Sequence, residues 1–230
     1  MYAIRWLALL PLAIALPYLL QAQKNDTATV FKKPEVERMS GTFSLGVRND
    51  YNIFTDAPKS FGAGLGGSMR IQLLNRLNTE WFADYIASSL YGKAHRIDAH
   101  IGWNVMFYLL DPKGFKRKLT PFIAAGHCFD YTSIRINGEN GAYKKKWSSA
   151  VQMSIGCHYN ITPQFDVSLS TLYDLHLGND IESELHKDGT VTIEEYKNAG
   201  FEGHIMLILS AHYKFLKLWT PKKPSRSFWA

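Results

Sequence analysis

The sequence predicts an all-β chain that folds as an eight-stranded antiparallel transmembrane β-barrel. Three observations carry this expectation. Apolar and polar residues alternate with period two from about Ser40 almost to the end of the chain. The alternating segments are 11 to 16 residues long, whereas ordinary strands run to about 5 or 6 and a tilted strand crossing a bilayer needs about 9 to 11. The connections between segments alternate between short turns and mostly longer polar loops.

The segment His95–Leu110, HRIDAHIGWNVMFYLL, shows the pattern most clearly. One set of alternate residues is Ile97, Ala99, Ile101, Trp103, Val105, Phe107 and Leu109, all apolar. The other set begins Arg96, Asp98, His100 and continues through Asn104. Such a strand has an apolar face and a charged face.

The remaining segments follow in order. Ser40–Asn52 sets Phe43, Leu45, Val47 and Tyr51 against Ser44, Arg48 and Asp50. Phe61–Leu73 sets Leu65, Met69 and Ile71 against Gly62, Gly64, Gly66, Arg70 and Gln72. Leu77–Ser88 sets Trp81 and Tyr85 against Glu80 and Asp84, with Phe82 and Ile86 as apolar intrusions on the polar face. Leu119–Tyr131 is the most ambiguous; its better phase groups Ile123, Ala125, Phe129 and Tyr131. Trp147–Tyr159 groups Val151, Met153 and Ile155 against Gln152, Ser154 and His158. Phe165–Leu175 groups Val167, Leu169 and Tyr173 against Asp166, Ser168 and Asp174. Gly200–Phe215 groups Ile205, Leu207, Leu209 and Tyr213 against Glu202, His204, His212 and Lys214.

Short turns are expected near Leu74–Arg76, Asp111–Gly114 and Asn160–Pro163, and longer loops at 53–60, 89–94, 132–146 and 178–199. An even strand number places both termini on the side of the short turns, the periplasm in a bacterial barrel. Lipid offers no partner to a peptide group, so a membrane sheet must close, with its apolar face outward. Eight strands leave an interior that side chains can fill. The expected lumen network is Arg48, Arg70, Arg96, His100 and Lys214 neutralised by Asp50, Glu80, Asp84, Asp98, Asp166, Asp174 and Glu202, a plug without an open pore. A soluble, lipocalin-like barrel with the faces reversed is the structural alternative. Segment length and the alternation of turns and loops favour the membrane.

The start of the chain reads as a signal peptide at 1–23. Arg5 precedes the apolar run Trp6–Leu20, and a polar stretch follows Ala22-Gln23. The run is shorter than the about 20 residues of a spanning helix. Residues 24–39 read as a periplasmic linker, 40–215 as the barrel and 216–230 as a short basic tail. The net charge of +6 gathers in short clusters at Lys113–Lys118, at Lys144–Lys146 and in the tail. These read as solvated loops near a charged surface, with attraction to anionic lipid or glycolipid as a second physical reading; without a recognition helix or motif they give no support for nucleic-acid binding. The 178–199 loop is acidic, with Glu182, Glu184, Asp188, Glu194 and Glu195. Pairing with Lys144–Lys146 and binding of a divalent cation are both open to it, although no spacing matches a calcium loop. Two cysteines, Cys128 and Cys157, are too few for a disulfide framework. Their phases point to opposite faces, which disfavours a bridge. There is no CxxC and no metal-ligand spacing, so no metal or cofactor is expected. The glycines at 62, 64, 66 and 67 lack the lysine and helix of a phosphate loop; room for lumen side chains is the better reading.

These residues resemble the small outer-membrane β-barrel proteins of Gram-negative bacteria, the group that includes OmpX and the membrane domain of OmpA. The signal ending in Ala22-Gln23 is similar to those of Bacteroidota outer-membrane proteins, among which PorT-like barrels occur. The resemblance spans Ser40 to Phe215 and is one of pattern, with no diagnostic motif. It implies an outer-membrane location, contact with outer-membrane lipid and lipopolysaccharide, a structural, interaction or accessory role, and a protein partner met through the external loops. It also implies an aromatic assembly signal in the last strand, which Tyr213 and Phe215 resemble, although the chain runs on to Ala230. Two other functions stay open. A lipid A-modifying enzyme similar to PagP-like or PagL-like barrels would draw on His95, His176 or His186 with Ser88, Ser89 or Ser183, but no distinctive spacing links them. A subunit of a secretion machine is what PorT-like resemblance would imply.

Overall fold

The computed structural model describes residues 39–53, 60–138, 141–177, 180–196 and 203–219. The expected signal peptide, nearly all of the linker, Glu202 and the last part of the tail lie outside the described residues, as does the side chain of His204. The strands are β1 (Thr42–Ile53), β2 (Phe61–Gln72), β3 (Leu77–Leu90), β4 (Ala94–Tyr108), β5 (Leu119–Ile136), β6 (Tyr143–Asn160), β7 (Phe165–Leu177), β8 (Asp180–Leu185), β9 (Val191–Tyr196) and β10 (Gly203–Lys217). Eight of them close a barrel in the order β1-β10-β7-β6-β5-β4-β3-β2, every neighbour antiparallel. The first strand pairs with the last, so the barrel has no edge.

The pleat follows the expected phase. Along β3, Glu80, Phe82, Asp84, Ile86 and Ser88 are buried in the lumen, while Trp81 and Tyr85 are exposed outside. Along β4, Arg96, Asp98, His100 and Asn104 are buried, and Ile101, Trp103, Val105 and Phe107 face out. The ambiguous fifth segment takes the phase that exposes Ile123, Ala125 and Phe129 and buries Cys128 and Asp130. Met153 is 70 % exposed and Ile155 61 %. A surface this apolar suits hydrocarbon. Twelve-residue strands such as β1 and β2 are about 40 Å long at about 3.3 Å per residue. Tilted by about 40°, they cover roughly the 30 Å of a bilayer core.

Three expected loops are different in the structure. The 89–94 loop is a tight turn, Tyr91-Gly92-Lys93, closed by the bond from Lys93 N to Leu90 O at 2.9 Å. The 132–146 loop is mostly strand: β5 continues to Ile136 and β6 begins at Tyr143, 18 residues each. The 178–199 loop contains the separate hairpin β8–β9. The extension of β5 and β6 reverses the polarity of the pleat. Up to Thr132 the inward residues are polar and the outward ones apolar (Asp130 and Thr132 against Phe129 and Tyr131). Beyond it the inward residue is Ile134, fully buried, and the outward residues are Ser133 and Arg135. Apolar-inside is the arrangement of a sheet in water, so this reversal marks where the strand leaves lipid.

The β4–β5 connection also departs from expectation. Its lysines stay exposed, but the chain folds back under the barrel and buries Phe115 with Met39, Tyr108 and Phe122. Lys113, Gly114 and Phe115 all take positive φ, at 49°, 64° and 68°. A left-handed non-glycine residue costs roughly 1–2 kcal/mol, which burying a phenylalanine, about 1.5–3 kcal/mol, can offset. The turn is a floor to the lumen.

Gly66 and Gly67 are neighbours on opposite faces. A Cβ on Gly66 would collide with the carboxylate of Asp84, whereas on Gly67 the nearest atom is Gly46 O at 3.7 Å. Gly66→Ala is expected to destabilise the barrel by about 1–3 kcal/mol through overpacking. Gly67→Ala is expected to stay within about 0.5 kcal/mol. Urea unfolding of the two variants in lipid vesicles measures the difference.

Candidate functional site

The described features that could carry function are the charged lumen and the cap at its loop end. Near the turn end, Arg70 organises the lumen. Its Nε donates to Glu80 Oε1 at 2.9 Å and its Nη1 to Asp166 Oδ1 at 3.2 Å. Its Nη2 reaches Ser168 and Ser210 at 3.2 and 3.3 Å. Lys214, on the last strand, pairs with Asp166, donates to Asn160 Oδ1 at 3.2 Å and lies over the Phe115 ring. His158 stacks on Phe122 with centroids 4.5 Å apart, and His212 bonds Ser68 at 2.7 Å. These contacts join β2, β3, β5, β6, β7 and β10 across the barrel.

One layer further toward the loops, Arg48 lies 3.2 Å from Glu80, 3.0 Å from Asp84 and 3.7 Å from Asp50. Its guanidinium sits 4.3 Å above the Phe82 ring, so the apolar intrusion at Phe82 is a platform for the cation. Glu80 is shared between Arg48 and Arg70. Asp130 faces two imidazoles, His100 at 3.8 Å and His176 at 3.6 Å, and accepts from the Cys128 thiol. Asp174 is buried 4.0 Å from that thiol. Highest in the lumen, Arg96 Nε donates to both oxygens of Asp98, and Thr132 completes the set.

Among the described residues the lumen holds four cations (Arg48, Arg70, Arg96, Lys214) and seven carboxylates (Asp50, Glu80, Asp84, Asp98, Asp130, Asp166, Asp174). His100, His158, His176 and His212 lie among them. Of the twelve residues expected in the network, all but Glu202 are buried in the lumen, and Glu202 is outside the described residues. Asp130 joins them without being among the expected residues, although the phase of β5 that exposes Phe129 points it inward. Three lumen cavities measure only about 10 Å³ each, room for about one water. No metal-holding group of His, Cys, Asp and Glu occurs among the described residues. Cys128 is buried and Cys157 partly exposed, both as free thiols.

The structure separates the histidines considered for catalysis. His95 faces outward, His176 is inside the lumen, and His186 is in the hairpin with its Nε2 2.8 Å from Thr192 Oγ1. Ser88 is buried inside the barrel, whereas Ser183 lies in β8. Tyr213 and Phe215 are stacked on the outer face beside the seam, with Phe43 5.3 Å from Phe215.

The hairpin β8–β9 packs on the loop end. Ile181 and Ile193 bury against Leu90, Ala94 and Ile134, with Tyr91, Ile136 and Val191 around them. Tyr91 Oη donates to Ser183 O, and Lys93 Nζ to Gly189 O. Lys144 Nζ donates to Ile193 O at 3.2 Å, and Lys146 pairs with Glu195. The basic run and the acidic segment thus meet, as one of the sequence expectations had it. At the hairpin turn, Asp188 accepts from the Thr190 hydroxyl and amide. These bonds hold its carboxyl below the usual carboxylate range.

No family model matches the sequence, and no curated protein matches it. Solved structures do match. Outer membrane protein OprG from Pseudomonas aeruginosa aligns with TM-score 0.51 at 10% identity, over 79% of this chain and 99% of that one. Neisserial surface protein A aligns with TM-score 0.50 at 16% identity, over 76% and 98%. A major outer membrane protein from Thermus thermophilus aligns with TM-score 0.50 at 12% identity, over 75% and 99%. The fold is that of the small outer-membrane β-barrels. At these identities the likeness concerns the fold alone.

Within this outer-membrane barrel fold, Arg48→Ala is expected to cost about 3–5 kcal/mol, because it strands buried carboxylates. Adding Asp84→Ala should cost less than the sum of the two single changes; urea titration of the four proteins in vesicles checks this. Ile193→Asp should free the hairpin without opening the barrel. Limited proteolysis is then expected to cut within 180–196 while the barrel core survives.

Proposed function

We propose that this chain is a small bacterial outer-membrane β-barrel protein with a structural, interaction or accessory role and no open pore. The observation that carries the reading is the pairing of an apolar outer face with a lumen packed by ion pairs and a floor. Such a cylinder is stable in lipid and offers no path to solutes. Its surroundings are outer-membrane lipid and lipopolysaccharide. Both ends of the barrel sequence, Thr42 and Lys217, lie at the short-turn end, which supports periplasmic termini. A signal peptide over 1–23 would deliver the chain there, and Tyr213 and Phe215 would serve the assembly machinery as its aromatic signal. The projecting β5–β6 hairpin and the β8–β9 cap are the surfaces offered to a protein partner.

Fractionation of host membranes with gel mobility before and after boiling tests this. The protein is expected in the outer membrane, with faster migration when unboiled, and purified protein is expected to give no steady conductance in planar bilayers. Recovery as a soluble periplasmic protein without a mobility shift would sink the membrane reading. A stable conductance would sink the closed lumen.

A further inference from the structure

The basic run Lys144-Lys145-Lys146 is divided by the pleat. Lys144 and Lys146 turn toward the cap and hold β9. Lys145 points the other way, to the outer face, where it stands opposite Ser133. Arg135 is on the same face, opposite Tyr143 on one side and His95 on the other. Arg135 and Lys145 are therefore diagonal neighbours across a strand pair, about 7 Å apart at the backbone. All three side chains are exposed, and among the described residues no carboxylate lies within ion-pair distance of Arg135 or Lys145. The Arg135 guanidinium lies 5.2 Å from the Tyr143 ring centre.

Their height on the barrel gives these cations a meaning. Directly below them Tyr131 and Trp147 pack with ring centroids 5.2 Å apart, and Trp147 is 63 % exposed. Such rings mark a membrane interface. The pleat reverses polarity one step above Tyr131, so the cations stand just outside the lipid, where an outward charge costs little. Below the aromatic pair the same face continues through Phe129 and Ile101. At the loop end of β1, β2 and β7 the outward residues are Ile53, Phe61 and Leu177, so among the described strand ends the outward cations lie on the β5–β6 side.

We propose that Arg135 and Lys145, flanked by His95, bind the phosphate of a phosphorylated glycolipid in the loop-side leaflet, its acyl chains lying on Trp147, Phe129 and Ile101. The planar guanidinium and the ammonium point charge together suit a phosphate group. The apolar face beneath selects a phosphate anchored in the membrane over one free in solution. This rests on the outer-membrane reading, which sets the glycolipid leaflet at the loop end.

The test uses the mature chain refolded in detergent, with native-gel and flotation binding to three probes. They are lipid A bearing its phosphates, the same lipid enzymatically dephosphorylated, and phosphatidylcholine vesicles containing phosphatidylglycerol. The R135Q/K145Q double variant is expected to bind phosphorylated lipid A about tenfold more weakly, whereas K113Q/K116Q at the opposite end should bind as the parent does. Salt should weaken the parent's binding, and inorganic phosphate at millimolar concentration should not compete. Equal binding by parent and R135Q/K145Q, or equal binding of dephosphorylated lipid, would overturn the proposal. An equal loss on phosphatidylglycerol vesicles would also overturn it, since the patch would then be a general anion surface. Heat-induced mobility shift, run on each protein, separates the two readings. A parent that shifts but ignores the lipid phosphate refutes this site alone, and a parent that never forms a heat-sensitive barrel refutes both.

Discussion

Hydrocarbon provides no hydrogen-bond partner, and each peptide group left unpaired there costs several kcal/mol. That constraint closes β1 onto β10 and leaves no edge. Closure at eight strands then fixes a lumen too narrow to stay empty. The pleat sends every second side chain into it, and whatever is sent must be packed and paired. Arg48 and Arg70 meet this demand by sharing Glu80 and by reaching serines and carboxylates on strands far apart in sequence. Glycine contributes by absence, since the space beside Gly66 is occupied by the Asp84 carboxylate that Arg48 holds.

One continuous strand pair serves two solvents. In its lower part β5 turns Asp130 and Thr132 inward and Phe129 outward; a few residues later it turns Ile134 inward and Arg135 outward. Above the membrane the hydrophobic effect acts in its ordinary direction. Ile134 is therefore free to gather Leu90, Ala94, Ile181 and Ile193 into a small core of the water-soluble kind. The cap is a second folding unit built on the rim of the first, and its drive comes from water rather than lipid.

The barrel was legible in the sequence because period two and segment length are local properties. So was membership of the lumen: Arg96, Asp98 and His100 fall inward by phase alone. The pairings were hidden, because Glu80 meets both Arg48 and Arg70 only through the register of three strands. Phe115 was hidden by its lysine neighbours and by a left-handed turn that no periodicity reports. Asp130 is hard to see in the sequence because β5 carries alanine and glycine where a clear face would show larger residues. The upper ends of β5 and β6 look like a loop in the sequence because their alternation switches sign there. The stretch Ser133-Ile134-Arg135-Ile136 keeps period two with the faces exchanged, and that exchange was the available signal.

The seam between β1 and β10 also shapes how the molecule comes into being. The bond between Ser68 and His212 and that between Arg70 and Ser210 join residues 144 and 140 positions apart. Contacts of such long range form late and slowly. Until the final strand arrives, Ser68 and Arg70 lack their bonds to His212 and Ser210, Asp166 lacks Lys214, and the first strand has only one of its two ladders. A nascent or truncated chain is thus chemically distinguishable from a finished one, open and unpaired at the same place. Closure on the last strand therefore reports that the chain is whole, since only with β10 in place does the barrel have no edge.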